Sequence, residues 1–171
     1  MDDKTNAQTL GKRKLVESLD REFARLHLRS CELTENTPDK ILYSVPTLTG
    51  MCSLPSVGES ILRCAAAVEQ TFGGITSNLW DDPFEWTLPE YLSTSAKVIE
   101  HLTEVEATRK RAFSSFDDDA CLLKHVATPL GETRLLVELL LGTLVRAADY
   151  QGQAVVTRKS LSGISTPGFI I

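Results

Sequence analysis

The stretch TRLLVELLLGTLVRAADYQGQAVVTRKS, residues 133–160, decides the fold. It runs for about seven helical turns without a proline and is apolar over much of its circumference, which predicts one long helix built into a core. Its most apolar part, Leu135 to Leu144, is interrupted by Glu138. That is well short of the roughly 18 residues of a membrane span. Toward its end, RAADYQGQ sets Arg146 and Tyr150 one turn apart, followed by Gly152 and Gln153. A guanidinium and a phenol on one face of such a helix require a reason, either a site or a polar helix end.

Working backward, three further segments carry a period near 3.6. Thr9 to Thr34 places Leu15, Leu19, Phe23, Leu26, Ser30 and Leu33 three or four apart, and Pro38 follows it. Ser56 to Phe72 repeats Val57, Ile61, Cys64, Val68 and Phe72, with Ser56 and Glu59 as a capping box and Gly73-Gly74 as its stop. Thr94 to Phe116 aligns Val98, Ile99, Leu102, Val105, Arg109, Ala112 and Phe113, and Asp117-Asp118-Asp119 ends it as solvated punctuation. The last helix is expected over Thr133 to Ser160, with Gly163 as its C-cap. No strand series stands out. The expected class is all-α, a four-helix bundle with a long connection between helices 1 and 2 (residues 38–55) and a long loop between helices 2 and 3 (residues 75–93). Residues 1–8 are expected as a flexible N-terminus, 9–163 as the domain and 164–171 as an apolar C-terminal tail.

Composition narrows the function. The chain has 171 residues, 42% hydrophobic and 24% charged, enough for one domain that folds without metal or disulfides. Its net charge is −5, and the nearest approach to a basic block, Lys12-Arg13-Lys14, is followed by Glu17 and Asp20. Nucleic acid is therefore a poor partner, because phosphate binding depends on clustered Lys and Arg. Cys31, Cys52, Cys64 and Cys121 are scattered, which predicts free thiols. With no targeting or membrane segment, a cytoplasmic protein is expected. His27, His101 and His125 form no i, i+4 pair: His101 reads as a surface residue, His27 as partly buried and His125 as a loop residue. The sequence holds no nucleophile elbow, P-loop or dinucleotide fingerprint.

Three stretches in order, SVGESILRCAAAVEQ, TPLGETRLLVELL and RAADYQGQAV, resemble the second helix, last loop and last helix of the DinB/YfiT-like four-helix bundles. The resemblance covers roughly Leu15 to Gly163. It implies a homodimer and a divalent metal, nickel or zinc, held by one histidine of the second helix and two of the last. Carried over, those positions fall on Cys64, Arg146 and Tyr150, and none is histidine. Arginine cannot deprotonate, and tyrosine binds metal poorly unless its phenol ionises. The metal site is expected to be absent and no cofactor is expected. If Cys64, Arg146 and Tyr150 still converge near Gln153, they would form a pocket for a small carboxylate or other anion. The simpler reading makes Cys64 a core residue and pairs Arg146 with Glu69, Glu138 or solvent. In the loop LWDDPFEWTLPEY, Trp80, Asp81, Asp82, Glu85 and Trp86 would line a pocket mouth or a dimer contact, or, as expected, close the bundle end. Two alternatives to a binding protein remain: a metal-dependent thiol S-transferase or hydrolase with altered ligands, and a structural or interaction module docking through the tail or the aromatic loop.

Overall fold

The structure, a computed structural model, describes residues 12–46, 54–86, 91–129 and 131–162, with the backbone alone at 85, 86 and 162. Helix dominates. Four long helices, α1 (Lys14–Glu35), α3 (Val57–Ser77), α4 (Ser95–Ser114) and α5 (Leu136–Ser162), are joined by a single-turn α2 (Asp39–Leu42) and two 3-10 turns, Pro83–Trp86 and Asp119–Leu123. The expected N-terminal segment 1–8, the start of the first helix at Thr9, the Gly163 cap and the tail 164–171 lie outside the described residues. Among the described residues no helix is long and apolar enough to cross a membrane.

Each helix begins where a side chain can satisfy its free N–H groups. α1 starts at Lys14 because Asp119, distant in sequence, accepts from the N–H groups of Leu15 and Val16. Asp118 caps the following 3-10 turn through the N–H of Ala120. Two of the three acids are thus caps rather than solvated punctuation. Leu15 is consequently exposed, and Val16 enters the core instead. Ser56 accepts from Glu59 N at 3.1 Å to open α3, as its sequence suggests. Thr94 does the same for α4, where Asp39 Oδ1 also receives the N–H and hydroxyl of Ser95, each at 2.7 Å. Those two bonds hold the Asp39 carboxyl below the usual carboxylate range.

Two expectations fail. Gly73-Gly74 does not stop α3; the helix continues to Ser77 and ends on Asn78, whose φ of 54° is left-handed. The N–H of Leu79 then returns to Gly73 O at 3.2 Å, reversing the chain. Gly74 has a different purpose, since the Trp80 indole lies against its Cα where any Cβ would collide. The second failure is the start of the last helix. Thr133–Leu135 is a strand, paired antiparallel with His125–Ala127 in the register His125↔Leu135, Val126↔Arg134 and Ala127↔Thr133. Gly131, at φ 74°, and the Thr128 N–H on Glu132 O at 2.9 Å close this hairpin. α5 begins only at Leu136.

α3 packs most extensively on α5, α1 on α4, and α4 and α1 each also touch the other pair, so the long helices form a closed ring. Phe23, Phe72 and Phe113 meet at its centre with ring centroids 5.2 to 5.7 Å apart. α3 is enclosed over most of its circumference: from Leu54 to Ile75 every residue is buried or half-buried, the half-buried ones including Glu59, Arg63, Glu69 and Gln70. Tyr43 covers its start, lying so close to Gly58 that an added Cβ would sit 2.5 Å from the ring. The Tyr43 hydroxyl donates to Leu92 O at 2.5 Å. Burial and this bond are consistent with a phenol pushed up to about 12 by desolvation.

Both glycines should therefore resist substitution. Gly74→Ala and Gly58→Ala are each expected to lower stability by about 1–3 kcal/mol through displaced aromatic rings. Urea unfolding followed by tryptophan fluorescence should show a blunted native signal for Gly74→Ala. An unchanged midpoint for both would refute the close packing.

Candidate functional site

The outer surface of α3 and α5 forms a notch where Arg146 and Tyr150 meet the helix opposite. Arg146 Nη2 donates to Ala67 O at 3.3 Å and to Gln70 Oε1 at 3.2 Å. The Gln70 amide passes on to Trp80 O at 2.8 Å, tying the aromatic loop to both helices. Arg63 shares the notch; its Nε and Nη2 reach Glu59 Oε1 at 3.1 and 3.0 Å, and its guanidinium carbon stands 4.0 Å above the Phe84 ring. Ala66 and Ala67 form the floor, and Asp82 and Phe84 one rim. The enclosed space is about 30 Å³, enough for one or two waters or the head of a small ligand. Tyr150 is half-buried at the core margin, and among the described residues its hydroxyl makes no hydrogen bond.

Cys64 is not part of it. Positions 63, 66, 67 and 70 of α3 face the notch, whereas 64, 65 and 68 turn to the opposite side, toward α1 and α4. One residue is about 100° of helix, so a shift of one exchanges the two faces. There Cys64 lies 3.7 Å from the Ser30 hydroxyl, and burial pushes its thiol up to about 11. The α3 residue that faces Arg146 and Tyr150 is Arg63. Nor does Arg146 pair with Glu69 or Glu138. Glu138 accepts from Leu135 N at 3.1 Å at the start of α5, and Glu69 stands 3.9 Å from His101. His101, expected at the surface, is half-buried there, and His125 opens the first strand rather than lying in a loop.

Gln153 is half-buried and does not line the notch. Its neighbour Gln151 is the buried amide, giving one bond of 2.9 Å to Leu26 O and another of 2.9 Å to Ser30 Oγ. The signal was available, because Gln151 continues the spacing of Leu140, Thr143, Ala147 and Ala154 along the buried side of α5. In the aromatic loop, Trp80 is half-buried and donates to Asn78 Oδ1 at 3.1 Å. Asp81 is exposed, and Asp82 receives the Phe84 N–H at 3.0 Å while lining the notch. The side chains of Glu85 and Trp86 lie outside the described residues. Among the described residues no group of three His, Cys, Asp or Glu side chains is placed to hold a metal ion.

A second buried polar group lies where the periodicity placed it, but its carboxylate partners were not foreseen. Arg109, in the apolar stripe of α4, is 2% exposed and donates to Glu106 Oε2 at 2.7 Å and to the Asp20 carboxylate of α1. Burial opposes ionisation of both partners, but their mutual hydrogen bonds win: the Glu106 carboxyl lies below its ordinary range and the Arg109 guanidinium above. His27 is held below its usual value by burial, against the raising pull of Glu106. Its Nε2 is 3.7 Å from Cys31 Sγ, whose thiol is itself raised by burial. Thiol and imidazole are both biased to their neutral forms, the reverse of an activated cysteine.

Compared with known protein families, curated proteins and solved structures, the chain finds no match.

The buried charges set the acid response. His27 and Glu106 both have depressed values in the folded chain, so the unfolded chain binds more protons between the two limits. Their stabilisation is present above the unfolded values and is lost as pH falls, first below about 6.5 for His27 and then below about 4.5 for Glu106. The urea midpoint should drop between pH 7.5 and 5.5, and His27→Gln should reduce that drop. An equal drop in the variant would remove His27 from this account.

Proposed function

We propose that this chain is a DinB-like four-helix bundle whose metal centre has been replaced by an anion site, and that it binds a small carboxylate or comparable anion between α3 and α5. The observation that carries this reading is the state of Arg146. Its guanidinium rests on two neutral oxygens of α3 and, among the described residues, meets no carboxylate. It opens on the same notch as Arg63 and the Tyr150 phenol. The Arg146 donor fork and the Tyr150 hydroxyl, beside an Arg63 guanidinium already held by Glu59, suit the oxygens of a carboxylate.

The residues there do not fit a divalent cation. A guanidinium has no lone pair to give and adds positive charge at the point where the family would hold its metal. Arg63, Arg146 and Tyr150, one each in place of three histidines, therefore favour recognition over metal-assisted chemistry. Helix order, the long connection after α1 and the i, i+4 spacing of Arg146 and Tyr150 support the family reading.

Calorimetric titration with acetate, succinate and inorganic phosphate tests the site. At least one should bind saturably, and Arg146→Ala should weaken it by about tenfold or more. No binding of any of the three would sink the proposal. Stoichiometric nickel or zinc in the purified untagged protein would sink the metal-free reading. Conversely, Arg63→His, Arg146→His and Tyr150→His combined should acquire nickel binding, and a folded triple variant that binds none would show the position mapping to be wrong.

The same reading includes a homodimer, and the outer face of α5 is the surface we assign to it. Leu141, Val145 and Val156 are about half exposed or more along one side, and Gly142 and Gly152 leave open space beside them. Val145→Glu with Val156→Glu should convert the dimer to a monomer in light-scattering chromatography. A wild-type monomer, or a variant that remains dimeric, counts against this face.

A further inference from the structure

Farther along α3, its last turns, the second half of α4 and the hairpin enclose a cleft of about 830 Å³ that the notch does not reach. The volume lies within the roughly 300–1,000 Å³ usual for small-molecule sites. Its floor is apolar: Phe116 and Leu136 are nearly buried, and Ile75 and Val126 partly so. Its mouth is cationic. Arg111 donates to the Thr108 hydroxyl at 3.1 Å, and among the described residues neither Arg111 nor Lys124 forms an ion pair.

The nearby acids are engaged elsewhere. Asp118 and Asp119 accept backbone N–H groups, and Glu69, the one carboxylate of the lining, faces His101. Two unpaired cations at the lip of an apolar cleft reverse the local charge in a chain whose net charge is −5. Desolvating an apolar body on the floor while leaving an anionic head between two cations is the arrangement that gains from both features. We propose that this cleft binds an amphipathic organic anion, its apolar body on Phe116, Ile75, Val126 and Leu136 and its carboxylate on Arg111 and Lys124.

Decanoate, below its micellar concentration, is the probe, and calorimetry the measurement. In the Arg146→Ala variant, where the α3–α5 notch has lost its guanidinium, one saturable site is expected; there decanol should bind at least about tenfold more weakly, and adding Arg111→Glu with Lys124→Glu should cost about tenfold or more. Persistence of this site in Arg146→Ala separates it from the notch. In the wild-type chain, methyl resonances of Ile75 and Val126 should shift on titration, so the assignment stands or falls even if the charge variant does not fold. Unshifted methyls, equal binding by decanol, or loss of binding in Arg146→Ala would each overturn it.

Discussion

α3 leaves only a narrow strip, along Glu59, Arg63 and Gln70, partly open to water, and the rest of the structure follows from covering the remainder. Most helices of a domain bury one stripe and solvate the other. Here the buried positions Val57, Ser60, Ile61, Leu62, Cys64, Ala65, Ala66, Ala67, Val68, Thr71 and Phe72 together wrap most of the axis. Each large aliphatic or aromatic side chain among them contributes about 1.5–3 kcal/mol when fully buried. Three neighbouring helices cannot close the whole circumference, so two aromatic side chains from the flanking connections complete it. Tyr43 and Trp80 lie directly on the helix backbone, and Gly58 and Gly74 allow that approach. The long connections therefore form part of the packing around α3.

The polar groups inside this packing are arranged to exclude alternatives. The Thr71 and Thr143 hydroxyls share a bond of 2.6 Å between α3 and α5; the one that donates it leaves the other to donate to a carbonyl of its own helix, Ala67 O or Leu139 O. Gln151 joins α5 to two positions of α1. Arg109 reaches Asp20 and Glu106 together only at the observed register of α1 and α4. A slip of one turn would separate Asp20 from Arg109 and leave the buried guanidinium with Glu106, on its own helix, as its carboxylate partner. Apolar contacts supply most of the stabilisation, whereas these bonds select one arrangement among several that would bury similar area.

Much of this was legible in the residues. Hydrophobic periodicity located the four long helices, and Ser56 marked where α3 begins. What was not legible depends on partners remote in the chain. Gly73-Gly74 reads as a stop until Trp80 is known to cover Gly74. Thr133–Leu135 reads as helix because its strand partner, His125–Ala127, is too short to show alternation. The first cap is supplied by Asp119, more than 100 residues away. The site failed more narrowly. Cys64 and Arg63 are adjacent in sequence, and motif spacing tolerates a shift of one, but a helix turns about 100° over that step. Gln153, taken for a pocket residue from its place in the motif, does not line the notch, whereas Gln151, two residues earlier, faces the core.

Replacing Cys64 by Arg63 in the site changes its chemistry as well as its membership. A thiol beside Arg146 would have been a candidate nucleophile, with its proton affinity lowered by the cation. In its actual surroundings burial pushes the Cys64 thiol up to about 11, which favours the protonated, unreactive form. Two guanidiniums on facing helices have a different logic. Their like charges repel; Glu59 is paired with Arg63, and the Asp82 carboxylate lines the same notch. An anion seated there would relieve the repulsion and receive donors from both helices, whereas a cation would add to it.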